Sequence, residues 1–160
     1  MVALPAVPER LEILAVGRLD ADLRPAFAHY ERLIAGLCRL SVREVREVPL
    51  RGRAVAEVLR DEGRRLLSGL PPDGTIVALD AAGRSYDSAA FAARLRSWSE
   101  AGPATFVVGG SLGMADEVKA AAHELLSLSP LTLPHQLARV VLAEQLFRGL
   151  KIARGETYHH

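Results

Sequence analysis

Five short apolar runs alternate with five stretches of helical periodicity, and that alternation limits the fold more than any other feature of the chain. The runs are LEILAV (residues 11–16), LSVREVREV (40–48), TIVALD (75–80), ATFVVG (104–109) and LLSLS (125–129). Apolar residues recur at three- and four-residue spacing over 22–37, 53–70, 87–99, 114–124 and 134–150, as in helices with one buried stripe. Strict alternation predicts a parallel-rich α/β sheet covered by helices on both faces. TIVALD and ATFVVG are apolar throughout, as strands buried on both sides are. LSVREVREV mixes apolar and charged positions and predicts a strand with one wet face. Pro71-Pro72-Asp73-Gly74 stops the second helix, and Asp87 and Asp116 stand where acidic side chains favour a helix's first turn. With no repeat or linker, residues 1–160 are expected to form one domain.

Charge and cysteine usage narrow the function. The net charge is +1, from 20 Lys+Arg and 19 Asp+Glu, too small a basic excess for tight, non-specific binding to bare nucleic acid. A shaped RNA target stays open. No apolar run approaches the roughly 20 residues that span a bilayer, so no membrane partner is expected. The opening MVALPAVPERLEIL has its proline and charges misplaced for a secretory leader. The single Cys38 suits a reducing, cytoplasmic location and reads as a small core residue. His29, His123, His135, His159 and His160 are too scattered for a metal site. GxGxxG and GxxxxGK[ST] are missing, which disfavours nicotinamide and P-loop chemistry, and no Ser-His-Asp order stands out as in a serine hydrolase.

Parallel sheets bind ligands beyond the carboxyl ends of their strands. Four connections qualify: the one after Gly17, then 80–84, 109–113 and 129–134. The second follows Leu79; the simpler reading there is a capped turn with a solvated Asp80. Gly109-Gly110-Ser111-Leu112-Gly113 joins a buried strand to a helix, so backbone can approach a ligand closely and helix N–H groups can donate. In Ser129-Pro130-Leu131-Thr132-Leu133-Pro134 two prolines stiffen an extended segment, a wall suited to a flat ring or, equally, a cover for the core. His135 reads as a cap. The last helix has a broad apolar face: Leu137, Val140, Val141, Leu142, Leu146, Phe147 and Leu150. Arg139, Glu144, Arg148 and Lys151 take the remainder as a solvated face, with Glu144 and Arg148 at pairing distance. Arg139 and Arg148, two and a half turns apart, face different directions. The chain closes on Tyr158, His159 and His160, a stacking ring beside two proton-transfer groups.

VGGSLGM, LLSLSPLTLPHQLARVVLAEQLFRGLKI and RGETYHH, together with ILAVGRL, REVREVPL and LDAAGRSYDS, resemble the ribosomal RNA large subunit methyltransferase H family along the full length. The resemblance implies a SPOUT-type α/β knot whose C-terminal segment forms a trefoil. It implies a homodimer with each cofactor pocket near the two-fold axis. It also implies methyl transfer from S-adenosylmethionine to N3 of a pseudouridine in 23S rRNA, on the assembled ribosome. Cofactor contacts carried over are Leu79, Gly109, Leu128, Ser129, Pro130, Leu131, Thr132 and Leu133. For the reaction, His159 is the candidate base because imidazole titrates near roughly 6.5. Tyr158 would stack on the target base, and Arg139 and Arg148 would steady phosphate or developing negative charge. The family's ending is Tyr-His-Lys or Tyr-His-Arg; His160 here replaces that phosphate-facing cation. A SPOUT enzyme with another rRNA or tRNA target, and a non-catalytic ribosome-binding factor, are the alternatives.

Overall fold

A computed structural model describes residues 7–158; the expectations for His159 and His160 lie outside the described residues. Its sheet comprises β1 (Arg10–Val16), β2 (Arg39–Val45), β3 (Thr75–Arg84), β4 (Ala104–Val108) and β5 (Glu124–Leu126). All pairings are parallel, in the order β2-β1-β4-β3-β5. Every residue of central β4 is buried, as its unbroken apolar run predicts. β2 is an edge strand with no residue fully buried, which its alternating charges suit.

Odd and even positions of β1 feed two separate cores. Leu11, Ile13 and Ala15 face α1 (Arg24–Ala35), α3 (Ser88–Trp98) and α5 (His135–Ala153), packing with Phe27, Leu95, Phe106, Leu142 and Leu146. Leu14 and Val16 face α2 (Val55–Gly69) and α4 (Asp116–Ala121), meeting Leu66, Val107 and Val118. Each large apolar side chain so buried contributes about 1.5–3 kcal/mol. Trp98 sits edge-on to Phe106 at 5.8 Å between ring centres. Asp87 caps α3 by accepting the Ala90 N–H at 2.8 Å. Cys38 is buried, and burial pushes its thiol up to about 11; it is a core residue with no reactive thiolate.

Two elements differ from expectation. α4 and β5 are shorter than their sequence patterns suggest, six and three residues. β3, expected to end at Asp80, continues to Arg84 through an irregularity: Leu79 and Arg84 both lie opposite Leu126. Asp80 Oδ1 accepts the Ala82 N–H at 2.8 Å, closing a small turn that throws the intervening residues out of the ladder. The segment read as a post-strand loop is thus a bulge within the strand. Because β5 lies beyond β3, the carboxyl ends of β4, β3 and β5 are neighbours, and their connections converge.

Candidate functional site

Those three connections enclose a cavity of about 590 Å³, within the roughly 300–1,000 Å³ common for small-molecule sites. Leu79, Asp80 and Ala81 come from β3 and its bulge, and Gly109, Gly110, Ser111, Gly113 and Met114 from the glycine loop. The 126–135 segment supplies the third wall. Of the contacts expected from the resemblance, Leu79, Gly109, Leu128, Ser129, Leu131, Thr132 and Leu133 all line this cavity. Pro130 does not; it is exposed on the outside of the turn. The connection after Gly17 lies elsewhere, so three of the four loops meet.

Local geometry explains each wall. A Cβ on Gly109 would fall 2.5 Å from the Gly113 carbonyl oxygen, so the loop can fold back on itself only with glycine there. Gly113 N–H donates to the Gly110 carbonyl at 3.1 Å and closes the turn. In the third wall, Ser127 Oγ donates to the Ser129 carbonyl at 3.0 Å, and Ser129 Oγ accepts the Leu131 N–H at 2.9 Å. Leu131 is left 76% exposed at the rim. Pro134 is the N-cap of α5, so His135 is its first helical residue, lining the cavity where it was expected to cap.

The cavity has one charged corner, which sequence reasoning missed. Lys119 on α4 pairs with Asp80 at 2.7 Å, and both line the cavity. Hydrogen bonds from Lys119 and then from the Ala82 N–H hold the Asp80 carboxyl below the usual carboxylate range. Asp80 is therefore no solvated cap, since its side chain is only 14% exposed. Apolar lining comes from Leu79, Leu128, Leu131 and Leu133. Such a cavity can take a molecule with a flat or apolar part and a hydroxyl- or charge-bearing part.

Arg139 and Arg148 go to different places. Arg139, expected on a solvated face, is 1% exposed. Its Nη1 donates to Glu44 at 2.5 Å, and its Nη2 to the Val16 and Gly17 carbonyls at 3.0 and 2.8 Å. One turn earlier Gln136 donates to the Arg18 carbonyl and accepts the Asp20 N–H, both at 2.9 Å. Together they rivet the start of α5 to the end of β1. Arg139 lines no part of the cavity. The signal was present in the sequence: positions 139, 142, 143, 146, 150 and 153 form the buried stripe of α5, and Arg139 belongs to it.

Arg148 makes the expected pair, its Nε and Nη2 reaching Glu144 at 3.0 and 2.6 Å. Its guanidinium lies 4.4 Å from the Tyr158 ring centre, a cation–π contact. Tyr158 also meets Phe147 edge-on at 5.2 Å. Burial, then the Glu144 charge, pushes the Tyr158 phenol above its ordinary range, so it stays protonated. This tail cluster is more than three turns from His135, about 20 Å along α5, and does not line the cavity of its own chain. Among the described residues no group of three or more His, Cys, Asp or Glu side chains is arranged to hold a metal ion. No described helix is long and apolar enough to cross a membrane.

Residues 10–159 match the family described as "Predicted SPOUT methyltransferase". The chain belongs to the SPOUT methyltransferase family. Similar proteins named ribosomal RNA large subunit methyltransferase H occur in several bacteria. That of Gluconacetobacter diazotrophicus is 45% identical, over 93% of this chain and 96% of its own. Those of Rubrobacter xylanophilus and Thioalkalivibrio sulfidiphilus are 44% and 39% identical, each over 94% of this chain and 98% of its own. A crystal structure described as a probable methyltransferase from Bordetella pertussis Tohama I aligns at a TM-score of 0.52 and 17% identity. It covers 89% of this chain and 94% of its own, a likeness of fold. In this SPOUT methyltransferase the three converging connections are also the stretches that carry LDAAGRSYDS, VGGSLGM and SLSPLTLPH.

Proposed function

We propose that this protein methylates the RNA of the large ribosomal subunit, using S-adenosylmethionine bound among the β3, β4 and β5 connections. The finer target we infer is N3 of a pseudouridine in 23S rRNA, modified on the assembled ribosome. One observation carries the reading: seven residues expected to touch the cofactor, drawn from three separate stretches of the chain, surround one cavity of fitting size. The names of the relatives support large-subunit RNA as the substrate.

S-adenosylmethionine supplies a methyl group already activated on a sulfonium, so the chain's main task is alignment. Leu79, Leu128, Leu131 and Leu133 hold the flat adenine, the glycine loop lets backbone approach, and Asp80 with Lys119 meets the polar groups. N3 of pseudouridine carries a proton and attacks only as that proton leaves. His159 takes it, while Tyr158 stacks on the base and Arg148 stands by the developing charge. Arg139 acts at a distance, holding α5 and the wall that precedes it.

Since the tail cluster lies about 15 Å along α5 from Ala138, the last cavity residue of that helix, each reaction site takes its tail from a second copy, in a homodimer. Leu137, 38% exposed on α5, and Leu131 at the cavity rim offer apolar surface to that copy. The C-terminal trefoil of this family belongs to the same proposal.

Mixed dimers test this arrangement. Gly109→Val should disable the pocket and His159→Ala the tail, each lowering methyl transfer at least tenfold as a homodimer. Random mixing should restore roughly a quarter of wild-type activity, because half the dimers then hold one intact site. No recovery on mixing would place pocket and tail in the same chain.

A further inference from the structure

Behind the glycine loop lies a carboxyl group that the alignment chemistry above does not use. Glu62, on α2, is 4% exposed. Its Oε1 accepts the Val48 N–H at 3.1 Å, and its Oε2 has no hydrogen-bond partner among the described residues. A Cβ built on Gly110 would fall 3.1 Å from Oε2 and 3.1 Å from Val16 Cγ1. The carboxyl is therefore pressed against the backbone of the loop whose other side lines the cavity. One turn of chain links that contact to the cofactor wall, since Gly110 closes the turn with Gly113.

We propose that Glu62 is a positioning residue for the cofactor pocket, bracing the glycine loop from behind and fastening it to the segment that carries Val48. This rests on the cofactor reading above and adds a residue that touches neither cofactor nor RNA. A neutral carboxyl suits the place. Burial pushes Glu62 above the usual carboxylate range, the Val48 N–H opposes that, and Glu47 raises it further. The charged groups facing it are Glu47 from the 46–54 segment and Arg65 from its own helix; Gly110 and Val16 face it from the loop and β1. Ionising Glu62 puts an uncompensated charge against the loop, which then moves to admit water. With its folded-state pKa raised, the support Glu62 gives is complete in acid and is lost as pH rises through that pKa.

The test measures S-adenosylmethionine affinity by calorimetry on the full-length protein from the acid limit of the folded state up to mildly alkaline pH. Amide resonances of Gly109, Gly110 and Gly113 are followed without ligand over the same range. Wild type should lose affinity as pH rises, by at most about tenfold per unit for one proton, and the loop amides should titrate. Glu62→Gln should bind at every pH as tightly as wild type in acid, with loop amides that no longer titrate. Glu62→Ala should bind more weakly throughout. An unchanged pH profile and unchanged amide titration in Glu62→Gln would overturn the proposal, assigning any pH dependence to cavity groups such as His135. Failure of wild type to bind would sink the cofactor reading instead, and the amide titration would still decide whether Glu62 governs the loop.

Discussion

Gly109 is the residue on which the pocket turns. Its backbone passes so close to the Gly113 carbonyl that a single added carbon would sit 2.5 Å from that oxygen, a contact relieved only by moving the loop. Gly109→Val is therefore expected to weaken S-adenosylmethionine binding at least tenfold while the helical circular dichroism persists; calorimetry with undiminished affinity would contradict it. Glycine here was legible in the sequence because strand, glycine cluster and helix follow one another. Asp80, Lys119 and Glu62 were not. A charged side chain in an amphipathic pattern reads as solvent-facing, and its burial depends on a partner far along the chain. Lys119 reaches Asp80 from another element, and Glu62 reaches Val48 and the glycine loop; periodicity carries no record of either meeting.

At the scale of elements, α5 combines three tasks. Its first turn extends the cavity wall, its buried stripe fills the larger core, and its last turns hold the tail cluster. Gly155, at φ +73, ends it in the left-handed conformation that glycine adopts readily. The rivet formed by Arg139 and Gln136 joins residues more than a hundred positions apart. Removing the buried guanidinium strands the Val16 and Gly17 carbonyls, while Glu44 at the surface can turn to water, so Arg139→Ala should destabilise the protein by about 2 kcal/mol, read as a lower urea midpoint. A change below about 0.5 kcal/mol, usual for an exposed charge, would mean the rivet is superficial. The apolar runs located all five strands and all five helices, and their ends drifted where side-chain turns intervene. The bulge after Leu79 is such a case, closed by Asp80 on Ala82. The place of β5 beyond β3 was likewise invisible locally, because register and strand order come from long-range pairing.

For the whole molecule, the separation of cavity and tail along α5 is the decisive geometry. One chain has a pocket at one end of α5 and Arg148 with Tyr158 at the other, and the proposed homodimer would bring complementary ends together. The near-zero net charge fits the proposed division, in which a shaped, two-chain surface meets structured RNA with little help from a general basic field. The most direct measurement supplies methyl-labelled S-adenosylmethionine and the purified protein to ribosomes that lack the modification, then resolves the labelled nucleosides by mass spectrometry. The label should appear on N3 of a pseudouridine from 23S rRNA. Label on any other nucleoside, or none transferred, would contradict the account.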